Sequence, residues 1–175
     1  MDIKKGITDN FDTSDTAQDG IRQIAGKLDA APFTFGLVIS RFNPELTNAL
    51  SDAAVSCLQH YGARPDQITR VRVPGAFEIP TVLEMLAADG TYHALIALGA
   101  VIQGETPHAG FINAEVNRAL CDIARAYRVP VIDGVVMTHN MEQAMARCTT
   151  GEQSRGWYAA KAAIEMAHVT TLLKG

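Results

Sequence analysis

Residues 94–108 read ALIALGAVIQGETPH. The first five, Ala94 to Leu98, are continuously apolar, as a strand covered on both faces requires. A glycine-containing polar stretch follows, then Thr106-Pro107, a pair suited to the head of a helix. The same order recurs on either side. Residues 35–39 (FGLVI) are apolar, and Asn43-Pro44 then leads into Leu46, Leu50, Ala53, Cys57 and Tyr61, spaced by three and four on one helix face. Asn43 is placed to cap that helix through its side chain.

Further along, residues 68–73 alternate as a strand until Pro74-Gly75 breaks it. A helix is expected from Glu78 or Ile79 to Ala88, with Pro80 in its first turn. Pro107 opens a helix carrying Ile112, Val116, Ala119, Ile123 and Tyr127 on one face. Residues 131–137 form a fourth apolar strand and residues 142–147 a short helix. Trp157, Ala160, Ile164, Ala167 and Thr171 mark the last helix. Four strands, each followed by a helix, predict an α/β fold: a three-layer α/β/α sandwich around a four-stranded parallel sheet. Ligands of such sheets sit beyond the C-terminal ends of the strands.

The chain has 175 residues, enough for one domain and a tail. Residues 1–32 are the expected mobile tail, rich in Asp and poor in periodic apolar groups, with a short helix over residues 19–30. Residues 33–175 are the folded domain. A net charge of −4 argues against a nucleic-acid or anionic-membrane binder. No apolar run approaches the ~20 residues of a membrane span. Lys4 and Lys5 precede no apolar stretch, so a signal peptide is not expected. Cys57, Cys121 and Cys148, an odd and scattered set, suggest reduced thiols in the cytoplasm.

Each strand end carries residues with chemical potential. Phe42 follows the first; by itself it reads as a hydrophobic staple into the next helix. Pro74-Gly75-Ala76-Phe77-Glu78-Ile79-Pro80 follows the second, a stiff loop offering Glu78 either as an ordinary first-turn carboxylate or as an acceptor for ligand hydroxyls. Gly104, Glu105, Thr106 and His108 follow the third. Gly104 permits close backbone approach, a helix head accepts anions, and an imidazole can take and give protons near neutral pH. After the fourth come Thr138, His139 and Asn140, then Arg147 and Arg155, either of which suits a phosphate. The histidines and cysteines have no metal-ligand spacing, and no nucleotide-binding glycine motif is present.

Taken together, SRFN (40–43), PGAFEIP (74–80), ALGAVIQGETPH (97–108), EQAMAR (142–147) and AAIEMA (162–167) resemble the lumazine synthase family over residues 34–172. The resemblance implies a flavodoxin-like fold. It implies condensation of 5-amino-6-(D-ribitylamino)uracil with 3,4-dihydroxy-2-butanone 4-phosphate to 6,7-dimethyl-8-ribityllumazine, without a cofactor. It also implies sites shared between neighbours of a homopentamer. By position, Phe42 would stack on the pyrimidine, with Asn43 in the same loop. Glu78 would bind the ribityl hydroxyls beside the backbone of Ala76 and Phe77. Val101 and Ile102 would flank the pyrimidine. Gly104, Glu105 and Thr106 would cradle the phosphate, His108 would move protons, and Arg147 would reach the phosphate from the neighbouring subunit.

Three departures stand out. Ala109-Gly110 replaces the family's aromatic–acidic pair after the histidine. Asp133 stands where the family often has Phe lining the pyrimidine pocket, and Arg155 where it usually has Lys near the ribityl chain. The GTKAGN-like turn of shell-forming members reads TTGEQS at 149–154. That last change predicts a pentamer or pair of pentamers rather than a sixty-subunit shell. A flavin- or lumazine-binding protein without catalysis, or a shell protein, are the competing readings on the same scaffold. Retention of His108 and Arg147 favours the enzyme.

Overall fold

The structure is a computed structural model and describes residues 21–174. Its four strands are β1 (Phe35–Ser40), β2 (Ile68–Val73), β3 (Ala94–Ile102) and β4 (Val131–Thr138), all parallel in the order β2-β1-β3-β4. The connecting helices are α1 (Pro44–His60), α2 (Ile79–Asp89), α3 (His108–Tyr127), α4 (Met141–Cys148) and α5 (Arg155–Lys174). This is the three-layer sandwich that the sequence pattern predicts.

Period-two alternation divides the apolar side chains between two cores. Phe35, Leu37, Ile39, Ile96 and Leu98 face Leu46, Leu50 and Ile164, under α1 and α5. Val38, Leu95 and Ala97 face Ile79, Leu83, Val116 and Leu120, under α2 and α3. Every residue of β1 and the first seven of β3 are buried, which is why those segments read as unbroken apolar runs. Edge strand β2 has one buried residue, Val73, and accordingly alternates. Helices α1 and α5 come close at Gly156, where a Cβ would lie 2.1 Å from the Leu50 carbonyl oxygen.

Four local expectations change. First, β3 runs to Ile102 rather than Leu98, because Gly99 stays in register opposite Val135 and carries Ala100, Val101 and Ile102 with it. Second, Asn43 does not cap α1 through its side chain; it sits at φ 55° and its Nδ2 donates to the Ala100 carbonyl at 3.1 Å. Third, α3 begins at His108, with Pro107 at the N-cap position and Thr106 outside the helix. Fourth, residues 21–30 contain no helix, while 19 and 20 lie outside the described residues. With few apolar groups at helical spacing, this segment has no helix face to bury. It lies instead against the domain, where Ala30 is buried, its N–H donates to Tyr61 O at 2.7 Å, and Gly26 packs on the Glu165 backbone. The remainder of the expected tail, residues 1–20, is outside the described residues.

The edge of the sheet opposite the strand C-termini is closed by histidine contacts. Phe33 packs between His93 and His168, with ring centroids 5.1 and 4.6 Å away. His168 Nε2 donates to Asp29 O at 2.9 Å. Thr34 N–H donates to His93 Nδ1 at 3.1 Å, which requires that nitrogen to be unprotonated. Partial burial, then the Lys174 charge, hold the His93 pKa below its ordinary value. The folded pKa is thus lower than the unfolded one. The stabilisation by neutral His93 is complete above the unfolded value, about 6.5, and is lost as pH falls toward the folded value. Urea-denaturation midpoints are expected to drop between pH 7.5 and pH 5.5, and to drop less in His93→Asn, which keeps an acceptor but does not titrate. Equal drops in both proteins would remove His93 from the pH response.

Candidate active site

All four strands end on one edge, and the order β2-β1-β3-β4 places the chain reversal between β1 and β3. At the end of β1, Arg41 N–H donates to Val73 O at 2.8 Å and prolongs the pairing with β2. The next residues turn sharply. Asn43 adopts the left-handed conformation, which Asn tolerates better than most residues, and its amide is tied to β3 at Ala100. Phe42 therefore projects from the edge with 71% of its surface exposed, and does not staple α1.

At the end of β2, residues Ala76–Glu78 form a 3₁₀ turn between Pro74 and Pro80, packed against α3. Ala76 is buried, while Phe77 and Glu78 are exposed. Gly75 N–H donates to Glu78 Oε2 at 2.8 Å. One carboxylate oxygen thus fixes the loop, and Oε1 remains to accept from a ligand.

At the end of β3, Val101 and Ile102 are half-buried, and Gly104, Glu105, Thr106 and His108 are exposed. Gly110 and Phe111 donate their N–H groups to Pro107 O. Buried Ala109 anchors the first turn of α3. The N–H groups of Glu105, Thr106, His108 and Ala109 have no acceptor among the described residues. Together they make a surface for an anion.

At the end of β4, the Asn140 side chain accepts from Gln143 N–H at 2.9 Å, and Gln143 Oε1 accepts from His139 N–H at 3.1 Å. This reciprocal cap fixes α4, whose last turn carries the exposed Arg147. Arg147 has no ion-pair partner among the described residues.

Asp133 and Arg155 stand apart from these loops. Asp133 pairs with Ala97 in the middle of the sheet, five residues before Thr138, or about 16 Å at the rise of a parallel strand. Arg155 donates to the Asp133 carbonyl at 2.8 Å and lies 3.7 Å from its carboxylate. The other carboxylate oxygen accepts from Val135 N–H at 2.9 Å. Asp133 and Arg155 are therefore in contact with each other, not with Phe42 or His108 of the same chain.

Two further residues belong to the edge although the sequence motifs did not single them out. Ser40 is fully buried at the end of β1, with its hydroxyl unpartnered among the described residues. A polar residue closing an apolar run was its signal. Gln103, just past β3, donates from Nε2 to both Gly104 O and Thr106 O, at 3.0 and 2.6 Å. A loop glutamine carries no signal in sequence.

The cysteines stay out of the chemistry. Burial pushes the Cys57 thiol up to about 12 and the Cys148 thiol up to about 11, so neither forms a ready thiolate. Cys121 is exposed on α3. Among the described residues no three His, Cys, Asp or Glu side chains gather as a metal site, and no helix is long and apolar enough to cross a membrane.

The fold and its edge define a class: a doubly wound α/β protein whose strand-end loops expose a ring, a carboxylate, an imidazole and N–H groups without acceptors among the described residues. The chain belongs to the 6,7-dimethyl-8-ribityllumazine synthase family, whose model matches residues 32–171. Among solved structures it is similar to a de novo designed Rossmann fold protein, at 13% identity over 63% of this chain and 90% of that one, with a TM-score of 0.37. Family membership makes the protein a transferase of riboflavin biosynthesis. It joins 5-amino-6-(D-ribitylamino)uracil to 3,4-dihydroxy-2-butanone 4-phosphate and forms 6,7-dimethyl-8-ribityllumazine.

Proposed function

We propose that the strand-end loops of one chain form the larger part of the site, with neighbouring chains completing it. The observation that carries this is the Asn43–Ala100 hydrogen bond. It ties the Phe42 turn to the strand leading into the Gly104–His108 loop. Phe42 stacks on the pyrimidine, and Val101 and Ile102 flank it. Glu78, with Ala76 and Phe77 backbone beside it, accepts from the ribityl hydroxyls. Gly104, Glu105 and Thr106 hold the phosphate.

The reaction needs an amine to add to a ketone, water to leave, phosphate to depart and a second ring to close. No oxidation state changes overall, so proton transfer and positioning suffice and no cofactor is required. His108, the first residue of α3, is the group placed to carry those protons. Water and phosphate are the leaving groups.

Asp133 and Arg155, far along the sheet from their own Phe42, fit a role in which each chain supplies them to the next, with Arg147 reaching the neighbour's phosphate. A heterologous contact of this kind closes into a ring. We take the ring to be a pentamer, alone or paired, working in the cytoplasm. The turn at 149–154, with Glu152 in place of the basic and small residues of shell-forming members, argues against further assembly.

Mixing the protein with both substrates and following lumazine absorbance tests the reading; a rate no faster than the spontaneous reaction would leave a ring-binding protein instead. His108→Ala is expected to lower kcat while both KM values hold. General acid–base assistance is typically worth about 10²–10⁴-fold, and such reactive substrates place this loss at the lower end. Unchanged kcat would exclude His108. Arg147→Ala is expected to raise KM for the phosphorylated butanone by about 10–100-fold, the worth of a charge-assisted hydrogen bond, with little change for the pyrimidine. Equal rises would assign Arg147 to the interface. Sedimentation velocity should find five or ten chains; a dominant sixty-chain species or a monomer contradicts the assembly.

A further inference from the structure

We infer that Gln103 is a positioning residue that holds the anion loop in its binding orientation. This rests on the phosphate role proposed above for residues 104–106. Gln103 is itself well fixed: its N–H donates to Thr138 O at 2.8 Å, so it is attached to the end of β4. Both hydrogens of its side-chain amide then go to loop carbonyls, Gly104 O at 3.0 Å and Thr106 O at 2.6 Å.

A trans peptide is planar, with its C=O and N–H pointing in opposite directions. Drawing Gly104 O toward Gln103 therefore turns the Glu105 N–H the other way, where it remains without an acceptor among the described residues. Holding Thr106 O fixes the peptide into Pro107, and so the direction in which the first N–H groups of α3 point. Without these bonds the Gly104–Glu105 peptide is free to flip, because glycine makes the rotation easy and nothing lies within 4 Å of a Cβ placed there. A flip reverses a peptide dipole of about 3.5 D and presents an oxygen to the anion in place of a donor. Gln103 suppresses that state. It does so without a charge of its own and without touching the substrate.

The test compares Gln103→Met, which keeps the shape but has no donors, with Gln103→Glu, which sets a carboxylate against two carbonyls. Inhibition by inorganic phosphate and KM for each substrate are measured on the intact assembly. In Gln103→Met the phosphate inhibition constant and KM for the phosphorylated butanone should rise about tenfold, the worth of one or two ordinary hydrogen bonds. KM for the pyrimidine should stay within about twofold. Gln103→Glu should shift the same two constants further. Unchanged phosphate constants overturn the inference, as does an equal rise for both substrates. If Gln103→Met does not fold, Gln103→Glu decides by the same criteria, and failure of both to fold makes Gln103 a support of the fold and overturns it too. Wild-type protein that fails to turn over the substrates refutes the site reading instead, so the two failures are distinct.

Discussion

The pairing of β1 with β3 is the constraint on which the rest depends. Phe35 to Ile39 lie in register with Ala94 to Leu98, and all ten residues of that central pair are buried. Two strands covered on both faces must have helices above and below, and parallel strands must be joined by crossovers. These crossovers bring each strand back in the same direction. Every strand therefore ends at the same edge, and the loops that leave it are neighbours whatever their separation in sequence. The site is a consequence of that pairing.

The same constraint explains what the sequence could and could not reveal. Strands buried on both faces must be apolar throughout, so residues 35–39 and 94–98 were legible. The end of β3 was not. Gly99 looks like a break in an apolar run, and only the register opposite Val135 keeps it in the strand. Asn43 before Pro44 has the composition of a capping residue. Its left-handed backbone leaves the side chain free for Ala100, a partner 57 residues away that no local pattern encodes. Residues 21–32 gave no periodic signal because only Leu28 and Ala30 pack into the core and the segment's hydrogen bonds to the domain run through backbone groups, which carry no side-chain signature.

The motifs fall on the strand-end loops because each combines stiffness with an exposed functional group. Pro74, Gly75 and Pro80 around Glu78, and Thr106-Pro107 before His108, are such combinations. The contact between Asp133 and Arg155 was hidden for a different reason. It joins a strand to the start of a helix 22 residues later, and its shorter bond goes to a main-chain oxygen. Arginine at the positive end of a helix is unfavourable unless something offsets it. The Asp133 carboxylate, 3.7 Å away, does so.

The two main site loops are held by opposite means, which bears on how a ligand can bind without disordering them. In the loop after β2, Glu78 fixes itself: one carboxylate oxygen accepts from Gly75 N–H and the other is left to accept from a ligand in the proposed role. Binding then adds a hydrogen bond without breaking one. The loop after β3 cannot work this way in its proposed role, because an anion site must leave its N–H groups unused until the ligand arrives. Unpaired donors in a glycine-containing loop would rotate toward water or nearby carbonyls. The restraint has to act on the carbonyl side of the peptides, leaving the donor side open. A neutral side-chain amide with two hydrogens meets that requirement, while a lysine or arginine in its place would add a charge to the site. On the proposed reading the donors are oriented before an anion arrives, and less ordering remains to be done on binding.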